Sequence, residues 1–147
     1  MKNLPDSSPH VLLVDDSPDG LLVRRALLEE LGYTVEVAGN GEEGLKLFHA
    51  SNFDVVVTDY RMPRMNGVEL IKRIRQTNPN ARIVLLSGFV EPLGLTEENT
   101  GADTVIAKSA NEPGHLTRAV KRLLNAGKRK PVSSQRGGRR QSRAATP

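Results

Sequence analysis

Four apolar runs in this chain each stop at a residue that can do chemistry. Phe53-Asp54-Val55-Val56-Val57-Thr58 runs into Asp59, and His10-Val11-Leu12-Leu13-Val14 into Asp15-Asp16. Arg82-Ile83-Val84-Leu85-Leu86 ends in Ser87-Gly88, and Thr104-Val105-Ile106-Ala107 ends in Lys108. Singly, each has an ordinary reading: a solvated strand-end carboxylate, a turn serine, a loop lysine. Together they fit one mechanism. Asp15, Asp16 and Asp59 converging would repel one another, and a divalent cation would relieve the crowding. Carboxylates without His or Cys suit a hard ion, and Mg²⁺ takes one or two carboxylates plus waters and phosphate oxygens. A carboxylate such as Asp59 can then attack phosphorus to form an acyl phosphate. The charge spread over the transferring phosphoryl oxygens needs positioned donors, which the Lys108 ammonium, the Ser87 hydroxyl and backbone N–H groups supply. Gly88 leaves space for the phosphoryl group.

These residues need elements that bring them together. Val55 to Val57 do not alternate with polar residues, which predicts a strand buried on both faces. Ser17-Pro18 predicts a helix start, running to about Leu31 with Leu22, Val23, Ala26, Leu27 and Leu31 on its apolar face and Gly32 as the cap. Thr34 to Ala38 reads as a short strand at a sheet edge, and Asn40-Gly41 as a turn. Glu42 to Ala50 reads as a helix with Leu45 and Phe48 inward, weakened by Gly44. Pro63 and Asn66-Gly67 turn the chain into a helix over 68–76 carrying Leu70, Ile71 and Ile74. Residues 89–100 predict a short or irregular helix. Pro113 opens a last helix to about Asn125, with Leu116, Ala119, Val120, Leu123 and Leu124 apolar and Gly127 as C-cap. Strands alternating with helical segments predict an α/β fold with a parallel sheet covered on both faces. The strand carboxyl ends of such a sheet form one edge, where ligands bind.

The 147-residue length suits one domain. The absence of Cys removes disulfide, thiol-nucleophile and thiolate-metal chemistry. No apolar run approaches the roughly 20 residues of a membrane span, and Met1 to Pro9 does not resemble a signal peptide, so a cytoplasmic protein is expected. The formal charge of +4 is unevenly spread. Residues 128–147 hold seven of the 21 basic residues and no acidic one, leaving 14 basic and all 17 acidic residues in 1–127. A mildly acidic domain at 10–126 is expected between a disordered lead, 1–9, and a disordered basic tail, 127–147.

With these motifs in order and spacing, the sequence resembles the receiver domain of two-component response regulators over about residues 9–126. The resemblance rests on Val14-Asp15-Asp16, on Asp59 followed by Met62-Pro63-Arg64-Met65-Asn66-Gly67, on Leu86-Ser87-Gly88, on Gly101-Ala102-Asp103 and on Lys108. It implies a flavodoxin-like, doubly wound sheet of five parallel strands. It implies that Asp59 accepts a phosphoryl group from a histidine kinase or histidine phosphotransfer protein. Asp15, Asp16 and Asp59 would bind Mg²⁺ with the backbone carbonyl of Arg61, while Ser87 and Lys108 contact the phosphoryl group. Two positions depart from the family. Val105 stands where a switch aromatic is usual, and Ser109 where Pro usually follows the Lys, so Lys108-Ser109 is expected to be trans. Output would then run through residues 89–100.

A phosphoacceptor that is not itself an enzyme, working by contact with an unknown downstream protein, is the leading reading. A phosphatase of the haloacid dehalogenase type also uses a strand-end Asp and Mg²⁺, but wants an acid two residues on, where Arg61 stands. A non-phosphorylated scaffold acting through its basic tail is the other alternative. That tail could also contact nucleic acid or another acidic surface through residues 128–147, with no aromatics for base stacking. His10, His49 and His115 show no ligand spacing.

Overall fold

The computed structural model describes residues 8–88 and 94–128. Strands β1 (His10–Val14), β2 (Thr34–Ala38), β3 (Val55–Asp59), β4 (Ile83–Ser87) and β5 (Thr104–Ala107) alternate with helices α1 (Pro18–Glu30), α2 (Gly41–Ala50), α3 (Gly67–Thr77), α4 (Glu97–Thr100) and α5 (Glu112–Lys128). The sheet is parallel throughout, in the order β2-β1-β3-β4-β5. This is the doubly wound, flavodoxin-like α/β architecture, with β2 at an edge as its weak alternation predicts.

The strand period of two sorts the core into two layers. Leu12, Val14, Val56, Ile83 and Leu85 pack with Leu70, Ile71 and Ile74 of α3. Val11, Leu13, Val55, Val57, Val84, Leu86 and Ile106 pack with Leu28 of α1 and Leu116, Ala119 and Val120 of α5. β3 and β4 are buried along their whole length, so their lack of alternation has its expected cause.

The start of α1 follows the cap read from sequence. Ser17 accepts from Gly20 N–H at 3.1 Å with Pro18 opening α1. Asn40 and Asn66 are not mere turn residues. Each caps a helix, accepting from Glu43 and Glu69 N–H at 2.8 and 2.9 Å. Gly44 weakens α2 only on propensity grounds: a Cβ there would come within 2.8 Å of Val14 Cγ2, so its absence lets α2 lie against β1.

Three expectations are corrected. The apolar face of α1 is only partly the one named: Leu27 packs beneath the helix as expected, but Leu22 is 69% exposed and Val23 63%, and the face is completed by Leu21 and the buried Leu28. The inward stripe is Leu21, Arg24 and Leu28, at helical spacing i, i+3 and i+7. Gly127 is no cap, since α5 continues to Lys128. Ser8 and Pro9 belong to the ordered chain: Ser8 Oγ donates to Gly32 O at 2.7 Å, and Thr34 N–H to Pro9 O at 2.9 Å. The remainder of the expected lead, 1–7, and of the basic tail, 129–147, lies outside the described residues.

The irregular helix expected in 89–100 is a single turn, α4, closed by a capping box between Thr96 and Asn99; residues 89–93 fall outside the described residues. Gly101 follows it at φ 81°. Arg75 ties this corner down, donating to the carbonyls of Gly101, Pro79 and Ala81, each at 2.8 Å. On the outer side of β5, the Glu97 carboxylate accepts from Val105 N–H at 2.9 Å.

Gly67, the first residue of α3, has no room for a side chain: a Cβ there would overlap the carbonyl oxygen of Asp59 and approach Leu85 Cδ1 to 2.7 Å. Gly88 has nothing within 4 Å of the same position. Gly67→Ala should therefore lose about 2 kcal/mol of stability, and Gly88→Ala should stay within about 0.5 kcal/mol of the parent, by urea denaturation. Equal midpoints for the two variants would contradict this packing.

Candidate functional site

The register of the sheet assembles the site. Val14 pairs with Thr58, so Asp15 and Asp59 each follow one step beyond that pair on adjacent strands. Asp59 pairs with Leu86 and Ser87 with Ala107, which sets Ser87 and Lys108 at the same sheet edge. The gap between β1 and β3 is where the strand order reverses, the place in an open parallel sheet where a crevice forms.

The four strand ends predicted from sequence converge as expected. Asp15, Asp16 and Asp59 each offer an oxygen, all within 4.8 Å of one another. Asp15 is 1% exposed and Asp59 4%, whereas Asp16 faces solvent. Beside them is a cleft of about 240 Å³ lined by Asp16, Ser17, Asp59, Arg61, Ser87, Gly88 and Lys108. Lys108 Nζ lies 2.7 Å from Asp59 Oδ1. There is no cis peptide among the described residues, so Lys108-Ser109 is trans, and the lysine still reaches the carboxylate. Val105 is half-buried against the core layer under α3.

The loop after Asp59 is held by its own apolar residues. Met62 and Met65 are buried, and Met65 N–H donates back to Pro63 O at 2.7 Å around Arg64 at φ 69°. That tight turn leaves Arg61 at the cleft. Gly41 makes room for Met65, whose Sδ would lie 2.8 Å from a Cβ at that position.

Two residues of the site were not singled out from sequence. Arg24 donates from one terminal nitrogen to Asp15 Oδ2 at 2.7 Å, and from Nε and its other terminal nitrogen to the Glu112 carboxylate at 2.8 and 2.9 Å. The second Asp15 oxygen accepts from Ser17 N–H at 3.0 Å. The Glu112 hydrogen bonds hold the Arg24 pKa above its ordinary value, against the opposing effect of burial. The available signal was a lone arginine on the stripe between Leu21 and Leu28. Choosing the wrong face of α1 concealed it.

The donor set, three carboxylate oxygens with no nitrogen or sulfur ligand, suits a hard divalent cation with several coordination positions left for water or phosphate. Asp59 is buried at the cleft wall with the Lys108 ammonium in contact. Burial pushes its pKa above the ordinary range and Asp15 adds to this, while Lys108 pulls it down.

The sequence matches the response regulator receiver domain family over residues 11–121. A gliding motility regulatory protein of Myxococcus xanthus is 36% identical over 119 residues, covering 77% of this chain and 15% of that protein. The virulence sensor protein BvgS of Bordetella bronchiseptica is 48% identical over 71 residues, 48% of this chain and 6% of the sensor. The chain thus spans a small part of the curated relatives it matches. Among solved structures, the response regulator TrrA of Thermotoga maritima, in complex with Mg²⁺-BeF, is 35% identical with a TM-score of 0.72, covering 79% of this chain and 99% of TrrA. The receiver domain of a signal transduction histidine kinase from Syntrophus aciditrophicus has a TM-score of 0.76 at 29% identity, over 86% and 97% of the two chains. This chain belongs to the response regulator receiver family, the phosphoacceptor modules of two-component systems.

The raised pKa of Asp59 has a consequence for stability. The folded chain holds this proton more tightly than the unfolded chain, so ionising Asp59 costs stability as pH rises through its folded pKa. In chelator at pH 7, Asp59→Asn should raise Tm by roughly 2–5 °C. The gain should vanish as pH falls below about 4, where the unfolded-state Asp is itself protonated. A lower Tm at pH 7 would mean that the Lys108 contact outweighs burial.

Proposed function

We propose that Asp59 is the phosphoacceptor of this receiver and takes its phosphoryl group from a phosphohistidine protein, a histidine kinase or a phosphotransfer protein. The observation that carries this reading is the placement of one buried carboxylate, Asp59, between the Asp15-Asp16 pair and Lys108 at the mouth of a cleft of phosphoryl size. An Asp59 oxygen attacks phosphorus in line with the leaving imidazole nitrogen. The new O–P bond forms as the N–P bond breaks, and the departing nitrogen keeps the electron pair.

Asp15, Asp16 and Asp59, with the backbone carbonyl of Arg61, would hold Mg²⁺. When bound, the ion supplies charge stabilisation at a phosphoryl oxygen. The rest falls to the chain. Lys108 moves its contact from the Asp59 carboxylate to a phosphoryl oxygen, and the Ser87 hydroxyl donates to another. Gly88 keeps the cleft open. Arg61, at its rim, shields the acyl phosphate from water. The contact between Lys108 and Asp59, kept despite Val105 and Ser109, speaks for a reactive pocket over a silent scaffold.

The donor reaches the cleft over α1. Leu22 and Val23 are its exposed large apolar residues, and a groove of about 650 Å³ runs from Ser109, next to Lys108, along Val23, Leu27 and Pro113. This surface is apolar at Leu22, Val23, Leu27 and Pro113, carries Asp19, Arg24, Glu30 and Glu112 beside them, and reaches Ser109 next to the lysine, which fits a protein that must deliver the phosphoryl group. Output is by protein contact, with the added charge of roughly −1.5 to −2 biasing the surface around the cleft.

Intact mass distinguishes the parts of this reading. With acetyl phosphate and Mg²⁺, the parent chain and Leu22→Asp should each gain one phosphoryl group, and Asp59→Asn none. With a phosphohistidine donor protein, Leu22→Asp should transfer about tenfold more slowly than the parent. No adduct on the parent from either donor would overturn the phosphoacceptor assignment. Equal transfer by Leu22→Asp would remove α1 as the docking surface.

A further inference from the structure

Arg24 is a cation buried against an acidic pocket, on an element that need not have carried one. Its side chain is 11% exposed, that of Asp15 2% and that of Glu112 10%. The guanidinium is divided between two acids of different kinds. One terminal nitrogen meets Asp15, a wall of the pocket; the other, with Nε, grips Glu112 in the first turn of α5 as a bidentate pair. The space is built for this arrangement. Gly20, one helical turn before Arg24, lies where a Cβ would come within 2.5 Å of Asp15 Oδ2 and 2.7 Å of the Arg24 terminal nitrogen. A glycine inside α1 costs helix propensity, and here it leaves the gap that the arginine fills.

The electrostatics follow from these contacts. Lys108 sits on Asp59 and Arg24 sits on Asp15. Lys108 has a flexible stem and 32% side-chain exposure, so it can move aside as the cleft fills. Arg24 is planar, permanently charged and fixed through three N–H contacts, so it stays. A divalent cation binding Asp15 therefore always meets a positive charge on the far side of that carboxylate. Glu112 partly cancels this charge, and low exposure keeps both effects from being screened by salt.

We propose that Arg24 is a positioning residue of the acidic pocket, a fixed counter-ion shared between Asp15 and Glu112, and that this sharing sets the affinity of the pocket for a divalent cation. The inference rests on the cation reading above. Arg24 lowers the affinity and Glu112 restores part of it. The two residues of one ion pair thus act in opposite directions on a ligand that neither touches.

That opposition gives the test. Mg²⁺ binding is measured by isothermal titration calorimetry on the full chain, without phosphoryl donor, for the parent, Arg24→Met and Glu112→Gln, and Tm is recorded in chelator. Both substitutions break the same ion pair, so both should lower Tm. A purely structural pair would do no more, or would shift both affinities the same way. The proposal expects Arg24→Met to bind Mg²⁺ roughly tenfold more tightly and Glu112→Gln roughly threefold more weakly than the parent, from one unit of charge gained or lost beside the pocket. Should Arg24→Met fail to fold, Glu112→Gln, which keeps the shape of the side chain, still decides by its sign. Mg²⁺ binding in the parent with unchanged or same-signed variants overturns the counter-ion role alone. No Mg²⁺ binding in the parent overturns the cation reading and this inference with it.

Discussion

Three carboxylate oxygens within 4.8 Å of one another repel, and two of their side chains are almost wholly shielded from water. Neither condition lasts in a folded chain without nearby positive charge. The surrounding structure answers this one constraint. Strand register fixes where the acids stand, β5 leads into the lysine that touches Asp59, and α1 carries an arginine back to Asp15. The crowded acids are thereby held between two cations, Lys108 and Arg24.

The reactive residues lie at strand ends, and strand ends are legible. Apolar runs terminate visibly, and in a parallel sheet all carboxyl termini share one edge, so Asp15, Asp59, Ser87 and Lys108 could be brought together before any coordinates. The cap of α1 was legible for a similar reason, since Ser followed by Pro and a helical pattern has a local cause, whereas Asn40 and Asn66 read as turns and cap α2 and α3 in the structure. Tertiary decisions were not legible. With apolar residues at 21, 22, 23, 26, 27, 28 and 31, α1 offers more than one plausible face. The sheet buries the one through Leu28, and Arg24 comes with it because Glu112, 88 residues further on, supplies its partner. No window along the chain contains that pair. Gly44 reads as a weak point by propensity and Gly67 as a turn residue, yet each marks a close approach whose other half is remote in sequence or is backbone.

Val105 illustrates the difference between a local and a global requirement. It takes the place of a large side chain in the family's pattern, yet Lys108, three residues later, still meets Asp59. The position of the lysine depends on the pairing of β4 with β5, where Lys108 N–H donates to Ser87 O at 3.0 Å. The strand delivers the amine, whatever the size of the side chain at position 105.

β5 is also where the sheet stops. An outermost strand presents unpaired amides that another chain can adopt, which is how sheets stack into aggregates. Here the Val105 amide is already claimed by the Glu97 carboxylate from the single turn of α4. A strand arriving from another molecule would have to displace that bond and lie beside a negative charge. So small a helix, too short to add much to the core, guards the border of the sheet and so bears on the solubility of the whole domain.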